Sequence, residues 1–269
     1  MMLINPDKGK DILLKNGIFY LLALLMAFGL KYHYSHASSD DLVWILGPTA
    51  ELVENVCGIS FEKEKNTGFV NQGQRIIIAP SCAGINFLII AFCMTVFSCL
   101  HHFRRRRLKL LCLGISALSS YLLGVAVNTV RIIVSIHLYE TDINNSWLTP
   151  ERVHRIGGIT IYFFFLCMFY LIIRIILNHY GLEVAGNKET VSGKNLKKSN
   201  YAHPASTGLV PLFWYFVIVL VIPLINAAYR KNVPRFLEHC CMVISVCFAV
   251  FVLVILIQLC CRRISGSIN

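Results

Sequence analysis

The sequence predicts an all-α polytopic membrane protein of about six transmembrane helices, with both termini in the cytoplasm and a small extracytoplasmic cap between helices 1 and 2. Three observations predict it. Of 269 residues, 56% are hydrophobic and only 14% are charged, with a mean hydropathy of +0.64, whereas soluble domains carry roughly 25% charged residues. Six apolar runs approach the roughly 20 residues that cross about 30 Å of hydrocarbon. Lys and Arg gather in the connections on one side of those runs, which marks that side as cytoplasmic.

The first run, Ile18–Tyr34, is the shortest. Its basic approach (Lys8, Lys10, Lys15) and its Ser35-His36-Ala37 exit also fit a secretory signal. Retained or cleaved, it leaves the next segment outside. That segment, 35–80, is too long for a simple hairpin. "GPTAELVENVCG" reads as a short helix with Pro48 near its first turn and Gly58 just past its end. "ISFEKEKNTGFVNQGQRIIIAP" reads as short strands broken at Asn66-Thr67-Gly68 and Asn71-Gln72-Gly73. Together they form a cap resting on the outer face, leading through Pro80 into a helix that begins around Cys82.

The second and third runs, Ala83–Leu100 and Leu108–Val130, flank "HHFRRRRLK", His101–Lys109, the strongest cytoplasmic marker in the chain. The third ends outside near Val127–Arg155, and the fourth, Ile156–Leu177, returns. Residues 1–178 then make a transmembrane core. Residues 179–210, rich in Gly, Ser, Asn and Lys, read as a cytoplasmic flexible linker. Leu212–Tyr229 and Cys241–Cys261 form a C-terminal two-helix hairpin within 211–269, expected to act as scaffold or lipid contact. One connection departs from the charge rule: Arg230–His239 carries Arg230, Lys231 and Arg235 yet falls outside.

The net charge of +11 resides largely in connections beside an anionic leaflet, so it argues for membrane lipids as partners and against nucleic acid. Of 11 cysteines, Cys93, Cys99, Cys112, Cys167 and Cys247 lie in apolar runs, where a small buried thiol is ordinary. No CxxC or His/Cys spacing points to zinc, and neither a metal nor a cofactor is expected.

Titratable residues close to the apolar core are costly, so each is a functional candidate. Cys82, in "IIIAPSCAGINF", sits where a polar segment meets an apolar run, at a helix start whose free N–H groups and positive dipole end favour anions. Ala83 and Gly84 are small enough for a substrate backbone to approach the sulfur. The competing readings are a structural thiol or a disulfide to Cys57. Arg131, in "NTVRI", falls about 22 residues after Leu108 and therefore at the same outer level as Cys82. Asn128 and Ser135 share its face, and a guanidinium suits an oxyanion or a carboxylate; snorkelling to headgroups is the alternative. His154, at the outer start of the fourth run, is a candidate general acid and base. Arg152 and Arg155 flank it and could replace Arg131 as the functional cation. A nucleophile, an oxyanion stabiliser and a proton carrier at one level are the parts of acyl transfer through a thioester.

"SCAGINF" (Ser81–Phe87), "NTVRI" (Asn128–Ile132) and the "H..GG" of His154–Gly158 resemble the three motifs of the exosortase/archaeosortase family, polytopic membrane transpeptidases analogous to sortases. The likeness covers about half the chain, from about Leu42 to Arg174, and is closest to the exosortase K branch. It implies catalytic roles for Cys82, Arg131 and His154, with Asn128, Asn86 and Gly84 supporting. It also implies a membrane thiol protease or transpeptidase in the cell membrane, with its active site on the extracytoplasmic side. Its substrates would be exported proteins ending in a short motif, an anchor helix and a basic tail, with a lipid or glycan acceptor. A different membrane cysteine enzyme (acyltransferase or plain protease), a transporter binding an anionic solute and a non-enzymatic assembly protein are the rival readings. A rhomboid-type protease is disfavoured because no GxSG serine motif is present.

Overall fold

A computed structural model describes residues 6–73, 75–140, 149–179, 204–226, 230 and 232–266. Most of the linker expected over 179–210 lies outside the described residues. The elements run α1 (Pro6–His36), α2 (Val43–Cys57), β1 (Glu62–Glu64), β2 (Gly68–Asn71), β3 (Ile76–Ile78), α3 (Ile85–Cys99), α4 (Arg106–Glu140), α5 (Pro150–His179), α6 (Pro204–Phe216), α7 (Ile222–Ile225) and α8 (Val233–Gly266). Among the described residues five helical stretches are long and apolar enough to cross a membrane: Lys15–His36, Pro80–His102, Arg106–Leu138, Glu151–His179 and Val233–Cys260.

α3 is the centre of the bundle. Its sequence is apolar all round, and residues from Ile85 to Val96 are buried on nearly every face, as expected of a helix with no polar side to turn outward. α1, α4, α5 and α6 pack around it. α1 presents Phe19, Tyr20, Ala23 and Ala27 inward, and Tyr20 stacks on Phe97 at 4.6 Å between ring centroids. The two alanines let the backbones approach closely. Its other face, with Ile18, Leu21, Leu25 and Phe28 exposed, has the composition of a lipid-facing surface.

The fifth apolar run forms a shorter helix, Leu209–Ile225, interrupted by a π turn at Val217–Val221. Pro223, just beyond it, has no N–H to give to the preceding turn, and its ring displaces the carbonyl four residues back. α6 and α8 pack on α5, and Tyr215, Ile218, Val243 and Cys247 join the one buried core cluster. The C-terminal helices are thus part of the same body as α3 to α5.

The segment between α1 and α3 holds the expected helix and strands. Gly58 caps α2 in the left-handed region at φ 68°, its N–H reaching the Glu54 carbonyl. The helix begins at Val43, earlier than the sequence suggested, so Pro48 lies inside it rather than in its first turn. The strands form one antiparallel sheet in the order β1-β2-β3, with Glu62 opposite Val70, and Val70 opposite Ile77. Asp40 fastens the sheet, pairing with Lys63 at 2.9 Å and accepting the Asn66 N–H. The Lys63 hydrogen bond holds the Asp40 carboxyl below the usual carboxylate range.

This segment does not simply rest on the end of the bundle. α2 packs along α4: Tyr121 donates to the Trp44 carbonyl at 2.8 Å and stacks on its ring. Tyr121 is ten residues before Arg131 on the same helix, about 15 Å toward the bundle middle. The apolar face of α2, with Ile45, Leu46, Ala50 and Val53 buried, is what requires a flank to pack on.

Gly68 sits at φ 122°, and a Cβ there would collide with the Ile78 carbonyl oxygen on β3. Gly68→Ala is expected to cost about 1–3 kcal/mol, read as a lowered thermal midpoint in detergent. An unchanged midpoint would mean that the sheet does not unfold with the bundle.

Candidate active site

α4 and α5 both continue as helices beyond their apolar runs, α4 to Glu140 and α5 back to Pro150. The polar residues of these extensions face one another. On α4, Asn128, Arg131 and Ser135 are spaced three and four apart and so share a face. On α5, His154, Gly158 and Tyr162 repeat every four residues and do the same. Gly158 gives the two helices room: a Cβ there would stand 3.2 Å from Arg131 Nε.

Cys82 does not sit on the first turn of α3. It closes a separate 3₁₀ turn, Pro80–Cys82, in which the Cys82 N–H donates to the Ala79 carbonyl at 2.8 Å. Gly84 then reverses the chain at φ 66°, ψ 17° and caps α3. A Cβ on Gly84 would stand 3.1 Å from the Tyr162 hydroxyl and 3.3 Å from Asn128. Its smallness therefore serves the turn and these two neighbours, rather than only an approaching substrate. Cys57 and Cys82 are both free thiols, so no disulfide engages the candidate nucleophile.

The residues form one hydrogen-bonded chain. Asn128 Nδ2 donates to the Cys82 carbonyl. Asn128 Oδ1 accepts from the Tyr162 hydroxyl at 2.9 Å and from Arg131 at 3.5 Å. Arg131 Nη1 donates to the Tyr162 hydroxyl at 3.0 Å, and Nη2 meets His154 Nε2 at 3.1 Å. His154 Nδ1 lies 2.9 Å from Ser135 Oγ, whose own proton goes to the Arg131 carbonyl at 2.8 Å. A guanidinium only donates, so the pattern assigns His154 as a neutral imidazole, accepting at Nε2 and donating from Nδ1–H to Ser135. Asn128 is fully buried, and this chain supplies the partners that a buried amide requires.

Cys82, Arg131, Ser135 and His154 line one cavity of about 660 Å³, whose opposite wall is Arg75 to Ile78. A second cavity of about 760 Å³ shares Arg131 and His154 with the first and is bordered by Lys31, Gly84, Tyr162 and, from the C-terminal helices, Tyr215, Ile222 and His239. The arginine and the histidine thus line both spaces. Asn86 is exposed, lines the second cavity and accepts Lys31 at 2.7 Å, apart from the Arg131 hydrogen bonds.

Arg152 and Arg155 have partners of their own. Arg152 pairs with Glu238 at 2.8 Å, and Arg155 with Glu151 at 3.4 Å; Glu151 also takes Arg235. Of the cations in the connection that runs against the charge rule, Arg235 meets a carboxylate of α5, Glu151, and Glu238 beside it takes Arg152. Tyr162 escaped the sequence reading because it lies in the apolar run "ITIYFF"; its four-residue spacing from Gly158 and His154 was the signal available.

Fold and site define a polytopic helical membrane protein with a cysteine, an arginine and a histidine gathered at one end of its bundle. A family model described as transmembrane exosortase (EpsH type) matches residues 12–172, and the chain belongs to that family. Comparison with curated proteins finds no match, and comparison with solved structures finds none.

Tyr162→Phe and Asn128→Ala are each expected to lose about 1–3 kcal/mol by leaving the partner group unsatisfied. The double variant should lose less than their sum, measured by unfolding in detergent. Strict additivity would mean that the hydroxyl and the amide do not act together.

Proposed function

We propose that the protein is a membrane-embedded cysteine transpeptidase that cleaves the C-terminal sorting signal of exported proteins and passes them to an acceptor. The observation that carries the reading is the shared cavity of Cys82, Arg131 and His154. Membership of the exosortase family supports the same class of reaction, and the span from about Leu42 to Arg174 looks closest to its K branch.

Cys82 Sγ attacks the carbonyl carbon of a peptide bond and its proton passes to His154. The guanidinium of Arg131 stabilises the tetrahedral oxyanion. The C–N bond breaks as His154 returns the proton to the leaving amine, and the acyl group remains on Cys82 as a thioester. An amine or hydroxyl of a lipid or glycan then gives its proton to His154, attacks the thioester and releases the Cys82 thiolate, which takes that proton back from His154. With water as the acceptor, the same steps make a plain thiol protease. Asn128 and Tyr162 act on the reaction through Arg131 and the Cys82 turn. They are positioning residues.

The reaction is assigned to the extracytoplasmic face. Cys82 and the arginine turn Arg104–Arg107 lie at opposite ends of α3, and such a turn stays cytoplasmic. Counting Leu209–Ile225, which spans about 25 Å, gives six crossings with both termini inside. In that arrangement 1–178 is the catalytic core, 35–80 its outer segment, 179–210 a cytoplasmic linker and 211–269 the C-terminal hairpin. Substrates are exported proteins with a C-terminal anchor helix and a basic tail.

In cells expressing the wild type, proteins with such tails should lose them, whereas with Cys82→Ala they should stay full length, as read by mass spectrometry of their C-termini. His154→Ala should slow processing about 10²–10⁴-fold and Arg131→Ala about 10²–10³-fold. Unchanged processing with Cys82→Ala overturns the reading. Separately, a membrane-impermeant maleimide added outside closed, right-side-out vesicles should modify Cys82; modification only after the vesicles are opened would reverse the topology.

A further inference from the structure

We infer that β3 is the docking strand for the substrate: the residues preceding the cleaved bond add to its free edge as an extended strand that leads into Cys82. The inference rests on the transpeptidase reading and specifies how that site holds its peptide.

Among the described residues β3 is an outer strand, paired only with β2. The Ile78 carbonyl is turned toward β2, where a Cβ on Gly68 would strike it. In an antiparallel pair, successive residues turn their N–H and C=O groups to alternate edges. The N–H and C=O of Ile77 therefore turn away from β2, to the free edge. An unpaired donor and acceptor on a strand edge form a template for another extended chain.

The surroundings suit a peptide. The cavity against β3 is faced by Ile132 and Ile136 of α4, both buried, so a bound strand would have apolar walls and a hydrogen-bonding edge. The chain passes from Ile78 through only Ala79, Pro80 and Ser81 to Cys82, and Cys82 lines the same cavity. A strand bonded to Ile77 and running in the direction of β3 advances about 3.3 Å per residue. It presents a carbonyl to the sulfur a few residues further on. A lipid or a helix would leave the Ile77 groups without partners, whereas an extended backbone satisfies both.

The arrangement also separates the two halves of the reaction. The acyl portion stays hydrogen-bonded to β3 after cleavage, beside Arg131 and His154. The second cavity, which shares that pair with the first, is left open for the departing segment and then the acceptor.

The test uses the full chain in detergent and an N-terminally blocked Val-Val-Val-Ala chloromethyl ketone, which alkylates a thiol with loss of chloride. The site of modification is read by mass spectrometry, with Cys82→Ala as the blank. Relative to chloroacetamide, and after correction for each reagent's rate with glutathione, the peptide reagent should modify Cys82 at least about tenfold faster. Methylating its amide nitrogens one at a time should alternate in effect. Amides that face β3 lose the advantage when methylated, and those between them keep it. No advantage, or a loss independent of position, overturns the docking strand while leaving the nucleophile in place. A Cys82 inert to chloroacetamide overturns the transpeptidase reading and, with it, this inference.

Discussion

The partly buried Arg131 guanidinium between α4 and α5 is the constraint around which the candidate active end of the bundle is arranged. A guanidinium remains charged and needs acceptors wherever it is placed. The Tyr162 hydroxyl, the Asn128 carbonyl and the His154 imidazole supply those acceptors. Each then has a second obligation: Tyr162 donates to Asn128, Asn128 donates to the Cys82 carbonyl, and His154 meets Ser135. One charge thereby fixes the rotamers of four side chains and the backbone of the cysteine turn. The two glycines that break local helix economy, Gly84 and Gly158, both stand where a methyl group would press on this set.

Much of this was legible in the sequence, for identifiable reasons. Cysteine, arginine and histidine could be placed at one level because helix rise is constant and apolar runs have countable lengths. The strands could be read because Asn66-Thr67-Gly68 and Asn71-Gln72-Gly73 punctuate them, and Gly58 marked the end of α2 because only glycine adopts that cap cheaply. The position of α2 on the flank of α4 was not legible, since its apolar stripe says that it packs but not on what. Tyr162 was hidden by its aromatic neighbours. The contribution of α6 to α8 to the second cavity depends on tertiary packing between segments far apart in the chain. Charge counting along the 230–239 connection registers Arg235 but not its carboxylate partner, Glu151, which lies at the start of α5.

Ion pairs of this kind are exposed or half-exposed, and such pairs contribute little to stability singly. Their value lies in position. Arg152–Glu238 and Arg235–Glu151 join the start of α5 to the start of α8, beside the turn that carries His154. His239, one residue beyond Glu238, borders the second cavity. The C-terminal helices therefore line the second cavity together with α3 and α5, which is more than the scaffold or lipid contact that their apolar composition suggested.

That two cavities share Arg131 and His154 bears on why the proposed thioester enzyme would be built this way. A transpeptidase has to favour its acceptor over water, and water is always present at a membrane boundary. If acyl group and acceptor shared one open cleft, hydrolysis would compete throughout the life of the thioester. In the proposed reaction, with the acyl chain held against β3 and the incoming nucleophile arriving through the second cavity, the acceptor approaches from a space that His154 also lines. The residue proposed to activate the acceptor then faces both spaces, so one proton carrier would serve the cleavage and the transfer.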